Sequence, residues 1–262
     1  MFSDPLHAPS WRDTIVLSLR RYLGTYAVLL FPPRCAGCGK FGTFLCADCR
    51  ARVQPIRPPL CRRCGQPLTE GTLCHACRRG KFTHLDKARA ATLYAPPMRE
   101  AIHAFKYRRN IHLAPHLARF MHVRLRADVL TDTIVVPVPL HPQRERMRGF
   151  NQAALLARHV SMAIRRPFRD DLLERTRFTR PQVSLSLSER IANMREAFRA
   201  IRPHQVQGRS FLLIDDVMTT GSTLEACAQA LKEAGAARVW AYVLARAALV
   251  DRFLPSEPLD VT

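Results

Sequence analysis

Lysine is scarce in this 262-residue chain: of 41 basic residues only Lys40, Lys81, Lys87, Lys106 and Lys232 are lysines. Acid is scarce too, with 21 residues against those 41, which leaves a formal charge of +20 and a pI of about 10.7. An excess of that size points to polyanionic partners, nucleic acid or phosphorylated substrates. Arginine in place of lysine is also what GC-rich coding produces, so charge alone leaves both accounts standing. A long unbroken apolar run is missing. Thr14–Phe31 is interrupted by Arg20 and Arg21 and carries no small-residue cleavage site, which argues against a signal peptide and a membrane span. The stretch Trp11–Leu30 reads instead as an amphipathic helix stopped by Pro32-Pro33. The stretch Phe211–Thr223 carries neither the Gly-Lys of an ATP-type phosphate loop nor Gly-x-Gly-x-x-Gly, so it is not expected to be a nucleoside triphosphate or dinucleotide site of those kinds.

What the chain does have is cysteine in pairs. Eight of its nine cysteines form four Cys-x-x-Cys units: Cys35/Cys38, Cys46/Cys49, Cys61/Cys64 and Cys74/Cys77. Gly39 and Gly65 follow the second cysteine of each half, as a tight metal knuckle requires, and the Pro55–Pro59 hinge separates two copies of one plan. Without a secretion signal this pattern favours metal over disulfides, and a cytoplasmic, reducing compartment. Two sequential zinc sites with four thiolates each are the simplest arrangement, and a crossed pairing between the halves stays open. Four thiolates leave no open position for water, so the expected role is structural. His75 is a conceivable substitute ligand. Cys227 lies among Leu224, Ala228 and Leu231 and reads as core.

The stretch Phe211–Thr223 is where the chemistry concentrates. Phe211-Leu212-Leu213-Ile214 reads as a fully buried strand ending at Asp215 and Asp216. Val217, Met218, Thr219, Thr220, Gly221, Ser222 and Thr223 then form a small-residue loop before a helix over Leu224–Ala234, with Gly235 as its stop. Free amides and the dipole at a helix N-terminus favour an anion. Hydroxyls of Thr219, Thr220, Ser222 and Thr223 add donors, and Gly221 permits close approach. Paired carboxylates beside such a cradle suit a sugar with adjacent hydroxyls. A ribose 5-phosphate meets both demands, and the stretch resembles the signature of type I phosphoribosyltransferases. Its bland alternative is a buried strand with an Asp-rich turn and a capped helix.

From Lys87 onward the pattern alternates. Ala88–Tyr94, Thr133–Val138 and Arg238–Leu244 read as strands; Pro97–Tyr107, Leu113–Ala127 and Gly149–Ile164 read as helices. Alternation of this kind predicts an α/β fold with a mostly parallel sheet, whose ligands sit at the carboxyl ends of strands. Pro137-Val138-Pro139-Leu140 followed by an arginine-rich loop with Arg144, Arg146 and Arg148 offers a second anion site. Arg177–Ser188 reads as a mobile loop; with Arg177, Gln182, Arg190, Asn193 and Phe198 that region is a candidate cover that excludes water. Lys106 could hold phosphate and Tyr107 could stack on a base. His103, His112, His116 and His122 read as a solvated face, and the tail after Phe253 as a fraying end.

Taken together, the four Cys-x-x-Cys pairs, Phe105-Lys106-Tyr107, Pro137–Leu140, Arg148–Ala153, Gln182 with Arg190 and Asn193, and Asp215–Thr223 resemble the ComF family of competence-associated proteins. The resemblance implies a double zinc ribbon, here at 35–81, joined to a type I phosphoribosyltransferase-like domain, here at 82–250; outside it lie an extension at 1–34 and a tail at 251–262. It also implies a role in handling incoming single-stranded DNA during natural transformation. One reading is then an enzyme that binds phosphoribosyl pyrophosphate with Mg2+ and transfers the sugar to an unspecified acceptor. Asp215 and Asp216 would serve the ribose, Thr219–Thr223 the phosphate, and Pro137, Val138, Pro139, Arg144 and Arg148 the pyrophosphate. The other is a non-catalytic single-stranded-DNA-binding or adaptor protein that keeps the pocket as a sensor and engages a DNA-uptake helicase or other competence proteins.

Overall fold

The structure, a computed structural model, describes residues 32–122, 125, 132–176 and 197–247. Its elements in chain order are α1 (Ala47–Ala51), α2 (His75–Arg78), β1 (Lys87–Leu93), α3 (Met98–Tyr107), α4 (Leu113–His122), β2 (Thr133–Pro137), α5 (Pro142–Arg148), α6 (Gln152–Ile164), β3 (Leu173–Arg175), β4 (Phe198–Ala200), β5 (Ser210–Met218), α7 (Ser222–Glu233) and β6 (Arg238–Arg246). Four strands pair in parallel in the order β1-β6-β5-β2, so their carboxyl ends share one edge of the sheet. Strands β3 and β4 form a small antiparallel ribbon.

Strands β5 and β6 are apolar over Phe211–Ile214 and Val239–Ala245 because both of their faces are covered there. Leu212, Ile214, Trp240 and Tyr242 pack with α3, α4 and α6 on one side. Phe211, Leu213, Val239 and Val243 pack with α7 on the other. Each cysteine group joins a different face. Cys35, Cys46 and Cys49 are buried in the α3–α4 layer, whereas Cys61, Cys64, Cys74 and Cys77 are buried with Phe82, Leu85 and α7. The segment from Gln54 to Arg63, which enters the second group, crosses the outer edge of β1. There Ala88 N donates to Arg63 O at 2.7 Å, Leu93 N donates to Gln54 O at 2.9 Å, and Pro55 bridges Thr92.

Four expectations need correction. The central strand does not end at the acids but runs to Met218, because pairing with β6 continues through Val217–Ala245 and Met218–Arg246. The arginine-rich loop is the helix α5: His141 Nδ1 accepts from Gln143 N, Pro142 occupies the first turn, and Gly149 at φ 86° closes the helix. The next helix therefore starts at Gln152 rather than Gly149, with Asn151 Oδ1 capping Ala153 N and Ala154 N. Helix α4 stops at His122 instead of reaching Ala127; Leu125, whose N–H turns back to His122 O, is already outside it. The Trp11–Leu30 helix, the Arg177–Ser188 loop with Gln182, Arg190 and Asn193, and the tail after Phe253 lie outside the described residues.

Candidate ligand pocket and metal centres

At the carboxyl edge of the sheet β5 hands over to α7 through Thr219-Thr220-Gly221. Gly221 is the N-cap of α7 at φ 83°, a conformation that only glycine adopts without strain. Thr220 Oγ1 pairs with Ser222 Oγ at 2.9 Å. A cavity of about 790 Å³ opens over this turn, lined by Asp215, Val217–Ala226 and Gln229 on one side and by Gly80–His84 on the other. The second wall was not anticipated. It is the segment leaving the last cysteine knuckle, and it is fixed by Glu225 on α7. The Glu225 carboxylate accepts from Thr83 N at 2.8 Å, His84 N at 2.9 Å and Leu85 N at 3.1 Å, and from Thr83 Oγ1 at 2.8 Å. Burial acts to raise the Glu225 pKa, but these donors outweigh it and hold the carboxyl below its usual range. The Ser222-x-x-Glu225 spacing resembles a capping box, but Gly221 is the N-cap and the acid caps a neighbouring segment instead.

The two acids share the strand but not a face, as strand alternation dictates. Asp215 opens onto the cavity, on the side of α7 and Arg175, and its Oδ1 accepts from Asp216 N at 2.8 Å. Burial, then the Asp216 charge, push its carboxyl up to about 7; Lys106, the Asp216 amide and Arg175 pull the other way. Asp216 turns to the α3 side, where Oδ1 meets Lys106 Nζ at 2.8 Å. Asp216 is buried, and its Oδ2 has no partner among the described residues.

The other expected anion residues gather beside, not inside, this cavity. Pro137 and Pro139 line a separate hollow of about 260 Å³ with Asn151, Glu174 and Arg175. Val138 is buried, and its carbonyl accepts from Asn151 Nδ2 at 3.1 Å, which ties the Pro137–Leu140 turn to the start of α6. Arg144 and Arg148 lie one turn apart on α5. Arg148 donates to Gln152 Oε1 and lies 5.3 Å from the centre of the exposed Tyr107 ring. Cys227 is fully buried in α7, and burial pushes its thiol well above the usual range, consistent with a core residue.

The eight paired cysteines form two sequential groups, Cys35/Cys38/Cys46/Cys49 and Cys61/Cys64/Cys74/Cys77, with the sulfurs of each within 4.8 Å of one another. A zinc tetrahedron with bonds of about 2.3 Å has edges of about 3.8 Å. Cys38–Cys46 and Cys64–Cys74 are each 3.7 Å apart, so both groups fit zinc. Burial raises Cys35 and Cys61, yet neighbouring backbone amides outweigh it and bring each thiol down to about 6. Cys49, by contrast, is pushed up to about 12, by burial first and by neighbouring thiols. Four such groups ionise together only around a cation. An arginine attends each group: Arg52 Nη2 lies 3.3 Å from Cys49 Sγ, and Arg246 Nη2 lies 3.9 Å from Cys64 Sγ. Neither arginine, nor Glu225 or Phe82, stood out in the sequence.

Comparison with known proteins agrees with this division. The double zinc ribbon domain family matches residues 27–78, and the phosphoribosyl transferase domain family matches residues 151–256. The chain is 35% identical over 208 residues to the DNA utilization protein YhgH of Escherichia coli K12, covering 77% of this chain and 90% of that protein. It is 30% identical to Competence protein F of Haemophilus influenzae, over 78% of this chain and 90% of the relative. It is 29% identical to Competence protein ComFC of Bacillus subtilis, over 77% and 84%. Among solved structures, glutamine phosphoribosylpyrophosphate amidotransferase from B. subtilis aligns with 51% of this chain and 25% of its own length, at 21% identity and a TM-score of 0.33.

Proposed function

Since the chain belongs to the ComF family of competence and DNA-utilization proteins, we propose that its cavity binds phosphoribosyl pyrophosphate together with Mg2+. The observation that carries this reading is the cavity at the β5–α7 turn, where Asp215 faces the amides and hydroxyls of Thr219–Thr223. The ligand's 5-phosphate takes the turn and the α7 N-terminus, and Asp215 accepts from the ribose hydroxyls. Asp216, with one oxygen on Lys106 and the other without a donor among the described residues, holds negative charge behind the sugar and keeps the Lys106 ammonium at the strand tip. Pyrophosphate extends toward Val138 and the α5 arginines Arg144 and Arg148. Mg2+ would enter with the ligand near Asp215 and Asp216 and neutralise the departing pyrophosphate. Transfer to an acceptor follows if a nucleophile enters from the Lys81–His84 wall.

The test is a thermal-shift titration with phosphoribosyl pyrophosphate and Mg2+ on the wild type and Asp215→Ala. A ligand that binds only the folded state adds about 2.7 kcal/mol at a hundredfold excess over its dissociation constant. A rise in the wild type that is lost in the variant supports the reading; no rise in either removes it. Exchange of labelled pyrophosphate, with Asp216→Ala as control, separates an enzyme from a sensor.

A second reading, contact with single-stranded DNA, is favoured by the +20 charge and by aromatic–arginine pairs on the outside. Arg34 lies 3.9 Å from the centre of the exposed Phe41 ring, and Arg148 lies over Tyr107. Binding that weakens steeply with salt supports it, and salt-insensitive or absent binding removes it. The DNA-uptake helicase and other competence proteins remain partners that family membership suggests.

A further inference from the structure

Arg246 closes β6 and is 3% exposed, yet among the described residues no carboxylate pairs with it. Its guanidinium reaches two places. Nη1 donates to Cys64 O at 2.8 Å and lies 3.3 Å from Met218 Sδ, and Nη2 lies 3.9 Å from Cys64 Sγ. A buried cation without a counter-charge is costly. A zinc ion held by four thiolates has a net charge of −2, and the second cysteine group is the compensating charge within reach.

Met218 is where the phosphate turn begins. Its Cε would lie 2.6 Å from a Cβ placed on Gly221, so the methionine fills the space beneath the turn. Phe82, five residues after Cys77, presses on the same point: its Cζ would lie 2.8 Å from that Cβ. The next residues, Thr83–Leu85, are the ones that Glu225 clamps to α7. The second cysteine group thus meets the turn from below through Arg246 and Met218, and from the side through Phe82. Among the described residues the first group has no such connection; its arginine, Arg52, sits at the surface.

We propose that Arg246 makes the second cysteine centre part of the phosphate-binding turn, so that metal at Cys61/Cys64/Cys74/Cys77 and ligand at Met218–Thr223 strengthen each other's binding. The ligand half of this rests on the reading given under Proposed function. The metal half stands on the contacts of Arg246 alone. Reciprocity is a thermodynamic requirement: if the metal improves the turn's affinity, the ligand retains the metal by the same factor.

The experiment uses the full chain carrying two zinc ions. Release of each ion to a chromophoric chelator is followed with and without phosphoribosyl pyrophosphate and Mg2+, and amide hydrogen exchange is read at residues 218–223 without ligand. Arg246→Met is expected to speed release of one ion tenfold or more, the usual scale for losing a group that supports a metal ligand, and to raise exchange in the turn. Arg52→Met should speed release of the other ion and leave the turn alone, which assigns the two phases. In the wild type the ligand should slow the Arg246-linked phase about fivefold or more, and in Arg246→Met it should not. If Arg246→Met fails to fold, Arg246→Lys, with its charge kept and its fork lost, gives the same comparison at smaller amplitude. Unchanged zinc release, or altered release with an unchanged turn, overturns the proposal. So does ligand that binds by calorimetry yet leaves both release phases as they were. Absence of any ligand binding, with the ligand-free measurements as expected, removes the ligand assignment and leaves the coupling of metal to turn supported.

Discussion

Lys106 Nζ on α3 lies 2.8 Å from Asp216 Oδ1 in the middle of the carboxyl edge, with side-chain exposures of 19% and 4%. The pair joins the helical layer to the strand from which the phosphate turn departs. Removing one partner of a buried pair leaves an uncompensated charge and costs about 3–5 kcal/mol. Lys106→Met should lose stability on that scale in urea denaturation at pH 8. The double variant Lys106→Met/Asp216→Asn should recover part of it. A loss under about 1 kcal/mol in the single variant would mean that water reaches the pair.

Gly221 gives a sharper contrast. Alanine there would have to hold φ 83° and place its Cβ 2.6 Å from Met218 Cε and 2.8 Å from Phe82 Cζ. Gly208 has φ 70° but nothing within 4 Å of the same position. Gly208→Ala should cost about 1–2 kcal/mol from backbone strain alone. Gly221→Ala should cost a further 1–3 kcal/mol or so from overpacking and should abolish binding of phosphoribosyl pyrophosphate. Equal melting temperatures for the two variants would contradict the crowding described.

Asp215 predicts an unusual pH response. Its carboxyl is raised by burial from 3.8 to about 7 in the folded chain. Between those values the folded state binds more protons than the unfolded state, so this group's contribution falls as pH rises through that window. Asp215→Asn should therefore flatten the decline of stability between about pH 4 and pH 7 in melting experiments. Ligand binding through an ionised Asp215 should strengthen over the same rise in the wild type. A variant with an unchanged pH profile would show that Asp215 is ionised throughout.

Glu225 behaves in the opposite sense. Donors from Thr83, His84 and Leu85 outweigh burial and keep its pKa below 4.5, so its stabilisation is present above the unfolded value and is lost as pH falls through the lower folded value. Hydrogen bonds to a charged group contribute about 1.5–3 kcal/mol each when well buried. Glu225→Gln should destabilise by about 2–3 kcal/mol at pH 7, with the gap to wild type closing below about pH 4.5. Hydrogen exchange at residues 83–85 should rise in the variant, and protection that stays the same would show that another group holds the segment.

Much of this architecture was legible because its signals are local. The apolar run Phe211–Ile214 and the stop at Gly235 mark β5 and α7, and the knuckle spacing marks the metal groups. The acids were harder: their separation onto opposite faces follows from strand alternation only once β5 is known to continue past them. Helix α5 carried its own punctuation in Pro142 and Gly149, but three arginines in seven residues looked like a loop. Arg246 was invisible for a deeper reason. Its partner is a carbonyl 182 residues earlier in the chain, and nothing local distinguishes it from a strand-end arginine in water.

The cysteine-bearing segment also solves a problem for β1. A strand with one side open invites pairing with other chains; here Gln54 and Arg63 supply acceptors to the amides of Leu93 and Ala88 along that side. Cutting the chain after residue 81 would thus do more than discard two metal ions. It would unzip a seam, and the fragment's outcome would be sticky, sheet-to-sheet clumping rather than a smaller version of the whole.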